Sequence, residues 1–148
     1  MGLERAIKGR VPPSLRALRW RLPWMRATEA FRRAPLRAAA RAARFTIAEL
    51  RGGDVAFRSP DGLRLVTMPN NFSSFALCVA GARDPDIWEF VLRHVPRGGV
   101  FLDAGANIGT YALPAAGLVG PEGRVLAFEA HPRTFAYLAR NVAANGLS

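Results

Sequence analysis

The chain lacks several features that mark particular classes of protein. Among its 148 residues there is one cysteine, Cys78, so no internal disulfide can form. A single cysteine fits a reducing compartment, and since Cys78 lies in an apolar stretch we expect a buried, unreactive thiol. No segment has the length and hydrophobicity of a transmembrane helix. The N-terminus has arginines where a secretory signal peptide needs an apolar run.

Lysine is also scarce: Lys8 is the one lysine, against twenty arginines. This bias suggests the base composition of the genome rather than a targeting signal. Residues 1–51 hold 13 of the 21 basic residues and three of the 11 acids, so they carry the whole net charge of +10. Such a segment binds nucleic acid or an anionic membrane surface, forms a solvated arm, or serves as an organelle transit peptide. Residues 52–148 are balanced in charge and show no aromatic platform or arginine-rich groove. We therefore expect no nucleic-acid partner, and a cytoplasmic protein with peripheral contact to the inner face of the membrane through residues 1–51.

Residues 1–51 are predicted to form a basic helical segment. Pro12, Pro13 and Pro23 break its start, where a short helix over 14–22 with Ser14 as N-cap is expected. Apolar side chains that look exposed follow at Trp20, Leu22, Trp24 and Met25. A firmer helix is predicted over 35–50, between a proline at its first position and Gly52. We expect it to dock through one face and to leave an arginine face in solvent, and the alternative is contact with a membrane or a polyanion. The apolar positions are Leu36, Ala40, Ala43, Ile47 and Leu50, and the arginines are Arg37, Arg41 and Arg44.

Residues 52–99 are predicted to form a β-hairpin and a helix that lead into the next region. The hairpin over 54–68 turns at Ser-Pro-Asp-Gly, which has the pattern of a type I turn. Residues 70–81 indicate a loop and a short strand. A helix over 84–95 is expected to begin at a capping Asp84 and to have an apolar face made of Ile87, Phe90, Val91 and Val95.

Residues 100–148 alternate strand and helix patterns with short connections. A strand over 100–104, buried on both faces, precedes a helix over 108–119 that Pro114 is expected to kink. A second strand over 125–128 precedes a helix that begins at Pro132 and ends at Asn145-Gly146. Its inward side chains are predicted to be Phe135, Leu138 and Val142. This β-α-β-α order implies an α/β fold with a parallel sheet.

Two acids lie where the strands of this sheet are expected to end. Ligands of parallel α/β sheets bind at the carboxyl ends of the strands, and Asp103 and Glu129 both occupy such ends. The loop between the first strand and its helix, Gly105-Ala106-Asn107-Ile108-Gly109, has glycines that permit a tight turn and a close backbone approach to a ligand. The alternative is that Asp103 caps the following turn and Glu129 is a solvated strand end.

The loop does not have the pattern of a phosphate site. Its glycines are four residues apart and no glycine lies between them. In the dinucleotide fingerprint the middle glycine lets the backbone approach the pyrophosphate, and this loop lacks it. No Gly-Lys-Ser/Thr sequence is present either. Asp103 would repel a phosphate, and it would attract a cation or a hydrogen-bond donor. S-adenosylmethionine has an ammonium, a sulfonium and a ribose diol, so we predict Asp103 near its methionine end and Glu129 on the ribose. Asn107 binds the amino-acid end or merely adopts a left-handed turn, and His131 borders the adenine or caps the helix at Pro132.

The stretch "FLDAGANIGTYAL", followed by "GRVLAFEAHPRTFAYLARNVAANGL", resembles the start of the FkbM-type methyltransferase domain. The resemblance covers residues 100–148 and is weaker over 81–99. It implies a Rossmann-like class I methyltransferase fold, here incomplete, and S-adenosyl-L-methionine as cofactor, held by Asp103, Gly105, Ala106, Asn107, Gly109, Glu129 and His131. The family usually has Phe-Glu-Pro where this chain has Phe128-Glu129-Ala130, so the acid is kept and the rigid turn is lost.

The resemblance also implies an activity, O-methylation of a saccharide, glycolipid or natural-product hydroxyl. The family's domain continues beyond the equivalent of residue 148, so we expect an N-terminal fragment that is inactive alone. No catalytic residue and no metal ligand is assigned. The acceptor is expected to be a small molecule or a glycan or lipid-linked compound. The alternatives are a non-catalytic cofactor-binding remnant or interaction module, a nucleotide-dependent oxidoreductase, and a nucleic-acid methyltransferase.

Overall fold

The computed structural model describes residues 11–81 and 84–148, so the first ten residues of the predicted basic segment lie outside the described residues. The described chain is a mixed α/β structure with an antiparallel hairpin and a separate pair of parallel strands. Its elements are α1 (Pro13–Ala27), α2 (Glu29–Arg33), α3 (Pro35–Leu50), β1 (Val55–Arg58), β2 (Arg64–Thr67), α4 (Phe72–Ala80), α5 (Pro85–His94), β3 (Val100–Ala104), α6 (Ala112–Val119), β4 (Arg124–Phe128) and α7 (Pro132–Ala144).

Helix α1 is longer than the sequence indicates. Ser14 lies inside it with a buried side chain, so its prediction as the N-cap was wrong, and Pro13 occupies the first turn instead. The helix continues through Pro23, although a proline within a helix costs about 3 kcal/mol. Burial of apolar side chains offsets that cost, since Met25, two residues after Pro23, packs in the core with side chains of α3 and α4. The expectation that Met25 is exposed was therefore wrong, whereas Trp20 stays partly exposed.

Helix α3 has the predicted bounds but docks through a different face. Its buried residues are Ala38, Ala42, Phe45, Thr46 and Glu49. Every residue of the predicted docking face, Leu36, Ala40, Ala43, Ile47 and Leu50, is exposed. Small alanines let α4 pack closely along α3, and Phe45 meets Phe75 of α4 edge-on with ring centroids 5.5 Å apart. The side chains that fill the core are thus not the longest apolar ones of the helix.

A buried ion pair fixes α1 to α3. The Arg21 guanidinium donates to both Glu49 carboxylate oxygens, at 2.5 and 3.0 Å, and both side chains are at most 2% exposed. Glu49 also accepts the backbone N–H of Asn70 at 2.7 Å. The ring of Phe75 lies 4.6 Å below the guanidinium carbon, within cation–π distance. The two terminal guanidinium nitrogens and the carboxylate are thereby paired inside the core formed by the three helices, whereas Arg21 Nε is buried without a hydrogen-bond partner among the described residues.

Residues 70–81, predicted as a loop and a short strand, contain helix α4 instead. The Asn71 side chain accepts the backbone N–H of Ser74 at 2.8 Å and caps its start. Gly81, with φ of 66°, ends the helix in a left-handed conformation. Cys78 on this helix is buried as predicted, and burial raises the pKa of its thiol to about 11, with Arg41 and Arg44 opposing the effect.

The predicted hairpin is confirmed, with β1 antiparallel to β2 and the backbone N–H of Gly62 donating to Ser59 across the turn. The outer edge of β2 is covered by an asparagine clamp, which we define as Asn141 and Asn145 of α7. Asn141 accepts the N–H of Val66 and donates to its carbonyl, at 2.7 and 3.2 Å. Asn145 bonds Arg64 in the same way, at 2.8 and 2.7 Å. Four residues of helix rise about 6 Å and two of strand about 6.6 Å, so the two spacings match.

Strands β3 and β4 pair in parallel, and β3 has the predicted bounds. The prediction that it is buried on both faces was wrong, because its residues alternate and one face of the sheet is open. Val100 is 65% and Leu102 60% exposed, and Leu126 and Phe128 of β4 are exposed beside them. Helices α6 and α7 cover the other face, where Ala112 and Leu138 pack with Val125.

Three expectations for the helices need correction. Helix α6 begins at Ala112, after turns over 108–111, so Pro114 falls in its first turn, where a proline is tolerated without a kink. On α7, Leu138 is buried as predicted but Phe135 is half exposed. On α5 the Asp84 cap is confirmed, whereas Ile87 and Phe90 of the predicted apolar face are exposed. Within the described ranges no helix is long and apolar enough to cross a membrane.

Candidate functional site

The parallel pairing brings the two predicted acids to the same edge of the sheet. Asp103 lies opposite Ala127, and Ala104 opposite Phe128, so Glu129 follows directly after the end of β4. Neighbouring strands are about 4.8 Å apart, so both carboxyl groups border one region at the carboxyl ends of the strands. The sequence prediction of their convergence is consistent with this register.

The loop after β3 crosses the end of β4. The backbone N–H groups of Gly105 and Ala106 both donate to the carbonyl of Phe128, at 2.8 and 2.9 Å. Gly105 has φ of 89° and Asn107 has φ of 52°, so two residues of the loop are left-handed. A Cβ on Gly105 would meet open space, and the exposed backbone there can approach a ligand closely.

Gly109 has a different role in the same loop. It is buried with φ of 95°, and a Cβ at this position would lie 2.8 Å from the Leu113 side chain and 3.1 Å from Leu138. The glycine therefore lets the loop pack directly on α6 and α7. Of the two loop glycines, Gly105 faces the open side and Gly109 supports the loop from below.

Glu129 ties the two strand-end loops together. One of its carboxylate oxygens accepts the backbone N–H of Asn107 at 3.0 Å, and the other accepts the N–H of His131 at 2.9 Å. The side chain is therefore held by the backbone of both loops, although it is only half-buried and keeps some contact with solvent. A carboxylate oxygen has more than one lone pair, so each can still accept a hydroxyl from a ligand.

Asp103 is half-buried at the end of β3. Burial raises the pKa of its carboxyl above the ordinary value, and a hydrogen bond that it accepts from the backbone of Ala112 opposes the shift. Ala112 is the first residue of α6, so Asp103 does cap the turn after β3, as the alternative interpretation holds. One of its oxygens, Oδ2, is buried and has no hydrogen-bond partner among the described residues, and the same holds for Oδ1 of Asn107. A buried acceptor without a donor is costly, so both atoms favour a ligand that brings donors or positive charge.

His131 occupies the N-cap position of α7, but its side chain makes no capping hydrogen bond and is exposed. Its backbone joins the site through Glu129, and its ring is free to border a ligand.

Tyr111, next to the loop, accepts the N–H of Asp84 at 3.2 Å and packs near Trp88, so it holds the start of α5. The structure therefore places Asp103, the loop, Glu129 and His131 at one edge of the sheet.

Sequence reasoning missed Asn141, which supports the loop from beneath. Its side chain is fully buried, and its Nδ2 donates to the carbonyl of Ile108 at 2.9 Å while its Oδ1 bonds β2. The clamp thus connects the hairpin to the loop between Asp103 and α6. One feature of the sequence could have revealed this role. Asn141 lies three residues after Leu138, so its polar side chain falls on the helix face that was predicted to be apolar.

An open groove of about 740 Å³ lies elsewhere, between β4, α6 and α7. Its lining is mainly apolar and contains none of the seven predicted site residues. The predicted site lies instead at the edge where the loop and the strand ends meet, beside the open face of the sheet.

No group of three or more acidic, histidine or cysteine side chains that could hold a metal ion occurs in the described part of the chain. The site is therefore defined by carboxylates, backbone and an amide. Compared with protein-family models, curated proteins and solved structures, the chain matches none.

Proposed function

We propose that residues 100–148 bind S-adenosylmethionine as the first part of a Rossmann-like methyltransferase domain of the FkbM type. The observation that carries the proposal is the pair Asp103 and Glu129 at the carboxyl ends of adjacent parallel strands, joined by a glycine-containing loop. Ligands of parallel α/β sheets bind at this edge. The expected reaction is O-methylation of a saccharide, glycolipid or natural-product hydroxyl.

The chemistry of the edge favours this cofactor over a dinucleotide. Asp103 Oδ2 has no donor among the described residues, and a phosphate brought near it would add a like charge. The ammonium and sulfonium of S-adenosylmethionine bring the opposite charge. Glu129 is held by two backbone N–H groups with its remaining lone pairs available, as acceptance of two ribose hydroxyls requires.

The chemical step proposed is in-line transfer. The bond from sulfur to the methyl carbon breaks as the acceptor oxygen bonds that carbon, and the hydroxyl proton passes to a base or to water. The residues described here would hold and orient the methyl donor, which is the contribution of proximity. We assign no base to the chain, since Asp103 is a ligand of the cofactor in this scheme.

The proposal is tested by calorimetric titration of the purified chain with S-adenosylmethionine and, separately, with NAD. We expect binding of S-adenosylmethionine alone, and a loss of about tenfold or more for Asp103→Asn and for Glu129→Gln, as for a charge-assisted hydrogen bond. The matched control is Glu122→Gln, an exposed acid in the turn before β4. Binding of NAD, or equal binding by all variants, contradicts the proposal.

A second candidate is a non-catalytic cofactor-binding remnant or interaction module. The open apolar face of the sheet favours it, because Leu102 and Phe128 offer a surface for another chain beside the loop. Labelled S-adenosylmethionine tests the second candidate in one direction. Transfer of the label to a glycan or lipid extract excludes the remnant, whereas binding without transfer is expected of both candidates, since residues 100–148 are proposed to be only the first part of the domain.

A further inference from the structure

Helix α3 presents an apolar stripe to solvent, although the rest of the helix is anchored in the core. The α3 stripe consists of the five residues Leu36, Ala40, Ala43, Ile47 and Leu50. Leu36 is 86% exposed, Ile47 48% and Leu50 45%. At 100° per residue the five positions fall within about 80° of the helix circumference, so they form one continuous line. The helix has 16 residues and is about 24 Å long.

Arginines line one side of the α3 stripe. Arg37, Arg44 and Arg51 are all exposed and lie at about 60–100° from its centre. Arg44 donates to the carbonyl of Ala56 at 3.1 Å, so its head group is held near the hairpin rather than folded over the stripe. The helix therefore combines an apolar line with a row of positive charge beside it.

In the part of the chain that the structure describes, no carboxylate pairs with these arginines. Between residues 11 and 51 the acids are Glu29 and Glu49, and each binds an arginine, Arg33 and Arg21 respectively. A ligand that complements this surface must supply both negative charge and an apolar layer.

We propose that α3 docks on the surface of an anionic lipid bilayer, lying in its plane with the α3 stripe in the acyl boundary and the arginines at the head groups. A helix with a line of large apolar residues beside cationic ones is suited to this position. A nucleic acid would satisfy the arginines but leave Leu36, Ile47 and Leu50 in water. A second copy of the chain would cover the apolar residues but bring two uncompensated arginine rows together. The buried face of α3 stays in the core, so docking requires no unfolding.

The test is co-sedimentation of the full chain with vesicles of phosphatidylcholine containing phosphatidylserine, and with vesicles of phosphatidylcholine alone. We expect binding to the anionic vesicles, and binding weaker by tenfold or more on neutral ones, since each arginine near an anionic surface contributes about fivefold. The variant Leu36→Ser/Ile47→Ser/Leu50→Ser should lose about tenfold or more in affinity. Arg37→Gln/Arg51→Gln should lose affinity and most of the salt dependence.

Helix α5 supplies the matched control, because Ile87, Phe90 and Leu92 are also about half exposed but are accompanied by acids. Serine at these three positions should leave vesicle binding within about twofold of the wild type. An equal loss in both triple variants would show non-specific adsorption and overturn the proposal. So would RNA binding without vesicle binding, or a dimer in sedimentation that the α3 variant dissociates while vesicles remain unbound. Circular dichroism confirms that each variant is folded.

Discussion

Replacing Asn141 with alanine should be among the most damaging single changes in the C-terminal half of the chain. The side chain is fully buried and makes three hydrogen bonds, one to Ile108 and two to Val66. Ile108 has no exposed surface, so its carbonyl loses its amide donor in a place that water does not reach. Val66 is half-buried and can regain some hydrogen bonding to water.

The magnitude follows from these environments. A buried acceptor left without a donor costs about 1–3 kcal/mol, and each of the two lost bonds at the half-buried site costs about 0.5 kcal/mol. We therefore expect Asn141→Ala to lower the free energy of unfolding by about 2–4 kcal/mol. For a urea dependence of about 2 kcal/mol per molar, the unfolding midpoint falls by about 1–2 M.

The assay is urea unfolding followed by circular dichroism, with Asn145→Ala as the control from the same clamp. Asn145 makes the corresponding two bonds to Arg64, which are exposed to water, and a part-buried one to the carbonyl of Asn141. None of these leaves a fully buried acceptor, so its loss should cost about 1.5 kcal/mol or less. If the two variants are equally stable, burial does not decide the energetics of the clamp and the reasoning is refuted. A changed urea dependence would instead point to a loss of two-state unfolding.

Three further predictions use the same unfolding assay. Arg21→Met and Glu49→Leu should each lower the free energy of unfolding by about 3–5 kcal/mol, because each leaves a buried charge without its partner. The double variant should lose less than the sum of the two single losses, and additive losses would contradict this reasoning. Gly109→Ala should destabilise the chain more than Gly105→Ala. Both glycines have positive φ, but of the two only Gly109 has packed side chains where a Cβ would lie. Equal losses of stability would contradict this prediction. Burial raises the pKa of Asp103 above 3.8, so the folded state disfavours the charged form and loses stability as pH rises through that raised pKa. Asp103→Asn should accordingly be the more stable chain at neutral pH, with a difference that vanishes in acid below about pH 3.8, and a pH-independent difference would contradict the assignment.

The local sequence patterns predicted several elements because their signals are short-range. The turn of the hairpin depends on Pro60 and Gly62, and the start of α5 on Asp84, whose side chain accepts the N–H groups of Asp86 and Ile87. The strand ends at Asp103 and Glu129 followed from an apolar run that stops at an acid. In each case the residues that specify the feature lie within a few positions of one another.

Features set by distant partners were not predictable in this way. The docking face of α3 includes Glu49, which can be buried because Arg21, 28 positions away, pairs with it. Without knowledge of that partner, a glutamate in a helix indicates the face exposed to solvent. Residues 70–81 contain two asparagines and two serines, which favour turns, yet Asn71 serves as a helix cap. At the site, Asn141 bonds residues 33 and 75 positions away, and no local periodicity encodes such pairs.

The asparagine clamp has a consequence for the order in which the chain folds. Arg64 and Val66 are complete early in synthesis, but the side chains that bond their outer backbone groups come 81 and 75 positions later. Until α7 emerges from the ribosome, the hairpin has an unpaired strand edge exposed to other chains. Contacts of such long sequence separation also slow folding. Helix α7 therefore completes the hairpin and the loop after β3 in one step, which can occur only after α7 itself has been made.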